Sequence, residues 1–241
     1  MTSFIPETIF KIGVFPVTNT VLDTLIVDAI IIGSVIYLTR KISLSPKPFQ
    51  NAVEMIIEIF YGLTESVTQN TALIFPYFMS FFLFILLANY SGLIPGFGTI
   101  GFWEHGELVP LLRAATSDLN LTLALALISI VAAHVMSLKT VGLKSYLSRY
   151  FSINPINLFV GILELVSVLT SLVSLSFRLF GNIYAGEVVL TVVSSIFAFV
   201  VPLPFLALEI IVGAVQALVF SMLTMVNMSI LTTPHESSHQ K

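Results

Sequence analysis

The chain has 241 residues, 56% hydrophobic and 10% charged, with no cysteine, a formal net charge of −3 and a mean hydropathy of +1.01. That much apolar sequence excludes a soluble domain, and its long unbroken runs exclude a β-barrel, so the expected fold is an all-α polytopic membrane protein. The lack of cysteine rules out disulfide, thiol and Cys-ligated metal chemistry.

Residues 1–20, interrupted by Pro6 and Pro16, are expected to form a short ordered outer tail. No basic segment leads into an apolar core there, so no cleavable signal peptide is expected. The first span is placed at 21–38 and closes at Arg40 and Lys41. Asp28 inside it is a lone acid, read as a carboxylate bonded near one interface rather than as a relay. Pro46 and Pro48 then break the chain. Over 49–69, Val53, Ile56, Ile57 and Phe60 recur at helical spacing, with Glu54, Glu58 and Glu65 elsewhere on the wheel. That pattern predicts an amphipathic helix on the membrane surface.

The second span is placed at 75–94, opened by Pro76 at a first-turn position and closed by Gly92 and Pro95. The glycine-rich stretch that follows holds Glu104, His105 and Glu107, read as a solvated acidic loop rather than a metal site. Asp118-Leu119-Asn120 opens the third span, 119–136. Asp118 fits an N-cap, since its carboxylate can accept from free amides and suits the helix dipole. His134 near the far end is read as hydrogen-bonded at the interface, with a relay role as the alternative.

No proline falls between Pro155 and Pro202, so a helix over 155–201 would be roughly 65–70 Å long if continuous. A perpendicular span needs only about 20 residues, and ordinary tilt cannot absorb the excess. A steeply tilted helix is therefore expected. A last helix over 205–231 carries Glu209, Gln216 and Asn227 on one face, and 232–241 form a polar inner tail. The expected architecture is thus about five membrane-embedded helices plus one interfacial helix, in one membrane domain, ending in a long tilted hairpin.

The long helix carries the chemistry. At about 100° per residue, Glu164, Ser167, Ser171, Ser174, Asn182 and Ala185 fall within roughly 40° of Arg178, while Glu187 points to the opposite face. Glu164 lies roughly 21 Å along the helix on one side of Arg178, and Glu187 roughly 13 Å on the other. A charge at membrane depth costs several kcal/mol, so it is usually kept for function. A small-residue stripe alone would be read as a helix-packing face, but packing gives no reason for a guanidinium on it.

Orientation follows from basic residues in the loops. Arg40, Lys41, Lys47, Lys139, Lys144, Arg149 and Lys241 fall on one side, and Lys11 and Arg113 on the other. This predicts an outer N-terminus and an inner C-terminus, with Glu164 toward the inner surface and Glu187 and Glu209 toward the outer. There is no P-loop, dinucleotide fingerprint or catalytic triad, and no nucleic-acid face. No cofactor is expected.

Ser174–Glu187, reading SLSFRLFGNIYAGE, resembles the signature of subunit a of F-type ATP synthases. Asp118-Leu119-Asn120, Pro155 with Glu164, Gln216-Ala217 and the amphipathic 49–69 segment also match the family's pattern, so the resemblance covers nearly the whole chain. It implies a stator subunit of a rotary proton motor, not an enzyme on its own, packed against a ring of c subunits. Its other partners would be b-type peripheral stalk subunits and the rest of the synthase, in a bilayer. The membrane would be a bacterial inner membrane, with mitochondrial inner or thylakoid membrane as alternatives. Arg178 then matches the essential arginine. Asn182, Glu187 and Gln216 match positions near that arginine and the outer half-channel, and Glu164 one toward the inner half-channel. Asp118, Asn120 and His134 are weaker candidates. Glu209 departs from the pattern of members with a histidine in this part of the last helix, which leaves open whether Glu187 or Glu209 carries the proton. The competing classes are a secondary transporter or channel with an intramembrane ion pair, and a membrane anchor without transport. The absence of repeated halves speaks against the transporter.

Overall fold

The structure is a computed structural model, describing residues 8–13, 15–40, 42, 48–94, 101–104, 107–110, 113–150, 155–196 and 200–233. The helices are α1 (Asn19–Arg40), α2 (Pro48–Val67), α3 (Thr71–Ser91), α4 (Leu119–Val141), α5 (Leu143–Tyr150), α6 (Pro155–Ile196) and α7 (Pro202–Thr232). Five of them, α1, α3, α4, α6 and α7, are long and apolar enough to cross a membrane. The protein is an all-α polytopic membrane protein closed by a long hairpin, α6–α7. His105 and the polar tail beyond Thr233 lie outside the described residues.

Helix α7 is the centre of the bundle and packs on α3, α4 and α6. Its Gly213, Ala217 and Ser221 recur every fourth residue and are buried, so neighbouring backbones approach closely. One apolar cluster joins Phe81 and Ile85 of α3, Leu125 of α4, Leu175, Leu179 and Ile183 of α6, and Phe220 of α7. A second joins Ile74, Phe78, Ala133, Met136, Met225 and Met228 at the other end. Polar side chains tie the same seams. Ser129 and Thr224 share a hydrogen bond of 2.9 Å, and Ser137 donates to the Leu231 carbonyl at 2.6 Å.

Helix α2 lays Phe60, Leu63 and Val67 on α3, while Met55, Ile56, Ile57 and Ile59 remain exposed. It thus offers apolar side chains both to the bundle and outward. Helix α3 begins at Thr71, so Pro76 lies inside it rather than in its first turn. The Asn70 carbonyl starts the helix, accepting from Leu73 and Ile74 amides at 3.1 and 3.2 Å.

Two antiparallel hairpins form where a short ordered tail and a solvated loop were expected. β1 (Thr8–Ile12) pairs with β2 (Phe15–Thr18), and β3 (Gly101–Glu104) with β4 (Glu107–Pro110). Gly13, at φ 63, supplies the left-handed residue the first turn needs. Glu104 and Glu107 are opposed across the second hairpin.

Helix α6 runs unbroken through Gly181 and Gly186 for 42 residues, about 63 Å at 1.5 Å per residue. That is about twice a hydrocarbon core, so the helix crosses steeply inclined. Only Gly161, Leu175, Ser176, Leu179 and Ile183 on it are buried.

Candidate functional site

The buried residues of α6 set its rotation. Leu175, Leu179 and Ile183 centre on a direction about 100° round the wheel from Arg178. Arg178 therefore points outward, exposed, with Ser167, Ser174 and Ala185 on the same face. Its guanidinium donates to Ser174 Oγ at 3.2 Å, and among the described residues it makes no ion pair.

Asn182 lies about 40° nearer the buried side. Its Nδ2 donates to Gln216 Oε1 at 2.7 Å. About three turns toward the other end, Asn227 Nδ2 reaches Ser171 Oγ at 3.4 Å. Gln216 thus pairs with Asn182, one turn further along α6 than Arg178.

At the Arg113 end, three segments meet. The Asp23 carboxylate of α1 accepts from Ser91 Oγ of α3 at 2.7 Å and from the Ala115 amide at 3.0 Å. Thr20 Oγ1 donates to Asp118 at 3.1 Å, and Asp118 caps α4 by accepting the Asn120 amide at 2.9 Å and its side-chain amide at 3.0 Å. These contacts fix residues 113–118 against α6. Arg113 Nε donates to Ser117 Oγ at 3.0 Å and lies 3.5 Å from Glu187 Oε1. Glu209 of α7 is buried against Gly186, where any Cβ would collide with its carboxylate. Asp23 Oδ1, Asn89 Oδ1, Thr116 Oγ1, Glu187 Oε2, Glu209 Oε2 and Gln216 Nε2 are buried here without a hydrogen-bond partner among the described residues. So many unmatched polar atoms suit a hydrated region rather than a dry core.

At the Arg149 end, Glu164 is held by Arg149 Nε of α5 at 2.7 Å. Arg149 also reaches the Ile230 carbonyl at 3.3 Å. His134 Nδ1 shares a hydrogen bond of 3.1 Å with Tyr146. Burial, with the Glu164 charge adding to it, pushes the Tyr150 phenol far above its ordinary value, so it stays protonated. Beside Glu164 and His134 lies a cavity of about 200 Å³ lined by these two with Ser129, Ser167, Ser171 and Asn227. The two polar regions sit at opposite ends of α6, with Arg178 between them.

Residues 21–229 match the family model of the ATP synthase A chain. The chain belongs to that family. It is also 32% identical over 225 residues to ATP synthase subunit a of Moorella thermoacetica, an alignment covering 93% of this chain and 95% of that protein.

In this chain, several residues of the polar regions escaped the sequence reading. Arg113 and Arg149 were read only as loop charges, and each instead holds a carboxylate of α6. Asp23, fully buried, was not singled out, although it is one of only two acids in α1. A signal existed for Arg113: it stands five residues before the Asp118 cap, too close to the helix to lie in open solvent.

Proposed function

We propose that this chain is the stator subunit through which protons reach and leave a rotating ring of carboxylates in the synthase. The region around Glu187, Glu209, Asn182 and Gln216 is the outer half-channel. The cavity bordered by Glu164, His134 and Asn227 is the inner one. Protons taken up from the outer side pass to a ring carboxylate, travel round with the ring and leave through the inner side.

The observation that carries this reading is Arg178. It is a permanent cation at any working pH, placed between two polar regions, on an exposed face of small residues and without an acidic partner among the described residues. A membrane charge so placed needs a mobile counter-charge from outside the chain, and a ring carboxylate in its deprotonated form supplies one. The same cation repels a proton that would pass straight between the half-channels. Ser167, Ser174 and Ala185 beside it let a ring helix approach closely. The bacterial inner membrane is the proposed location, with c-ring and peripheral stalk as partners.

The test is reconstitution. Copurification with a c-ring and a soluble ATPase head, followed by ATP-driven proton pumping in vesicles with and without Na⁺, supports the reading. A purified complex lacking both partners, or ATP hydrolysis by the intact complex without any ion movement, rejects it.

A further inference from the structure

Arg113 is the most buried of the four arginines, with its side chain 8% exposed. Its segment is tied to α1 through Asp23 and Thr20, to α3 through the Ser91 that also bonds Asp23, and to α4 through the Asp118 cap. Ser117 Oγ, its hydrogen-bond partner, is itself anchored on the Ala114 carbonyl at 2.8 Å. Arg113 is therefore a fixed cation, and the carboxylate it faces, Glu187, is fixed with it.

Glu209 differs in its counter-charge. It is 6% exposed and has no cation within ion-pair distance among the described residues; like Glu187, it leaves Oε2 without a partner. Its carboxylate packs against Gly186, the residue just before Glu187 on α6. Two carboxylates that meet in one site repel each other, and a counter-charge beside one of them relieves that member first. Among the described residues, the ion pair of Arg113 is with Glu187.

We propose that Arg113 is a positioning residue that holds Glu187 in a permanent ion pair, leaving Glu209 as the carboxylate that takes up and releases the transported proton. This rests on the proton path proposed above. A hydronium ion from the outer side protonates the Glu209 carboxylate and leaves as water. The resulting carboxylic acid then gives its proton to a deprotonated ring carboxylate and returns to its ionised form. Glu187, balanced by Arg113, stays an acceptor beside it. The other ionisable groups brought to this end are Asp23 from α1 and Asp118 at the α4 cap, both already bonded to amides, and Tyr90 from α3. The Tyr90 hydroxyl donates to the Ile210 carbonyl at 3.1 Å. Arg178 stands nine residues before Glu187 on the same helix.

The test compares ATP-driven proton pumping by the assembled complex in vesicles for Glu209→Gln, Glu187→Gln, Arg113→Gln, Arg113→Lys and the Arg113→Gln/Glu187→Gln pair. Glu209→Gln should lose about a hundredfold, as expected for removal of a proton-transfer group. Glu187→Gln and Arg113→Gln should each lose about tenfold, because the first strands the buried Arg113 cation and the second takes away the counter-charge of Glu187. The double variant should recover most of that loss, since both charges are gone; a purely structural role for Arg113 gives no such recovery. Arg113→Lys, keeping the charge, should lose less than Arg113→Gln. A double variant as slow as the slower single variant overturns the proposal, and so does Glu209→Gln pumping at least as well as Glu187→Gln. If Arg113→Gln does not assemble, the order of Glu209→Gln and Glu187→Gln decides alone. The parent and Arg178→Ala run alongside. An inactive parent, or Arg178→Ala pumping normally, sinks the proton path itself, whereas a normal Glu209→Gln with both controls as expected sinks only the division of roles between Glu187 and Glu209.

Discussion

Asn182 donates to Gln216 at 2.7 Å across the seam between α6 and α7, and Arg178, one turn earlier, is left on the outward face. The amide pair fixes how far α6 is rotated relative to α7, and so fixes where the guanidinium points. Gln216→Leu removes the acceptor and leaves Asn182 to find another. Side-chain hydrogen bonds between membrane helices contribute about 0.6–2 kcal/mol, so a loss of a few-fold in coupled pumping is expected, with assembly retained. Pumping rate against ATP hydrolysis, measured on the same vesicles, checks it. Tight coupling at the parent rate would show that the pair does not aim Arg178.

Gly186 gives a sharper test of local packing. A methyl group there meets the Glu209 carboxylate, which the bundle has already buried. Gly186→Ala should displace Glu209 and slow pumping about tenfold or more, an effect of misplacing a proton-transfer group. Glu209→Asp, one methylene shorter, makes room. Added to Gly186→Ala it should recover part of the loss, measured as initial pumping rate. No loss in Gly186→Ala would mean that Glu209 need not sit where it packs.

The orientation of the chain rests on seven basic residues in one set of loops against two in the other. Since the protein has no cysteine, single cysteines at Ser3 and Ser238 report directly. An impermeant thiol reagent should label them from opposite sides of the membrane. Labelling of both from one side would contradict an odd number of crossings.

The long helices and α2 were legible because each depends on a local property, whereas α5 (Leu143–Tyr150) formed where a loop was expected. Unbroken apolar runs mark α1, α3, α4, α6 and α7, and the Asp118 cap marks the start of α4 by its own side chain. The hairpins at Thr8–Thr18 and Gly101–Pro110 were missed because short strands between prolines and glycines have little periodicity to read. Pro76 misled in the other direction, since a proline inside a membrane helix is tolerated where neighbours support the backbone. The ion pairs of Arg113 and Arg149 were out of reach for a different reason. They join residues 74 and 15 positions apart, and wheel arithmetic along one helix says only which direction Glu187 and Glu164 face, not what faces them. The same limit applied to Gln216, whose partner across the α6–α7 seam, Asn182, wheel arithmetic along one helix cannot name.

The claim on which the account turns is that Arg178 is an electrostatic gate whose partner is outside this chain. Passive proton flux in vesicles containing the intact complex with Arg178→Ala tests it most directly. Removing the cation takes away both the attraction for a deprotonated ring carboxylate and the barrier between the two polar regions. The account predicts that ATP-driven pumping is lost while the membrane becomes leaky to protons, and that Arg178→Lys, with a compact charge of different reach, restores little coupling. An assembled Ala variant that pumps like the parent, or one that neither pumps nor leaks, would contradict it.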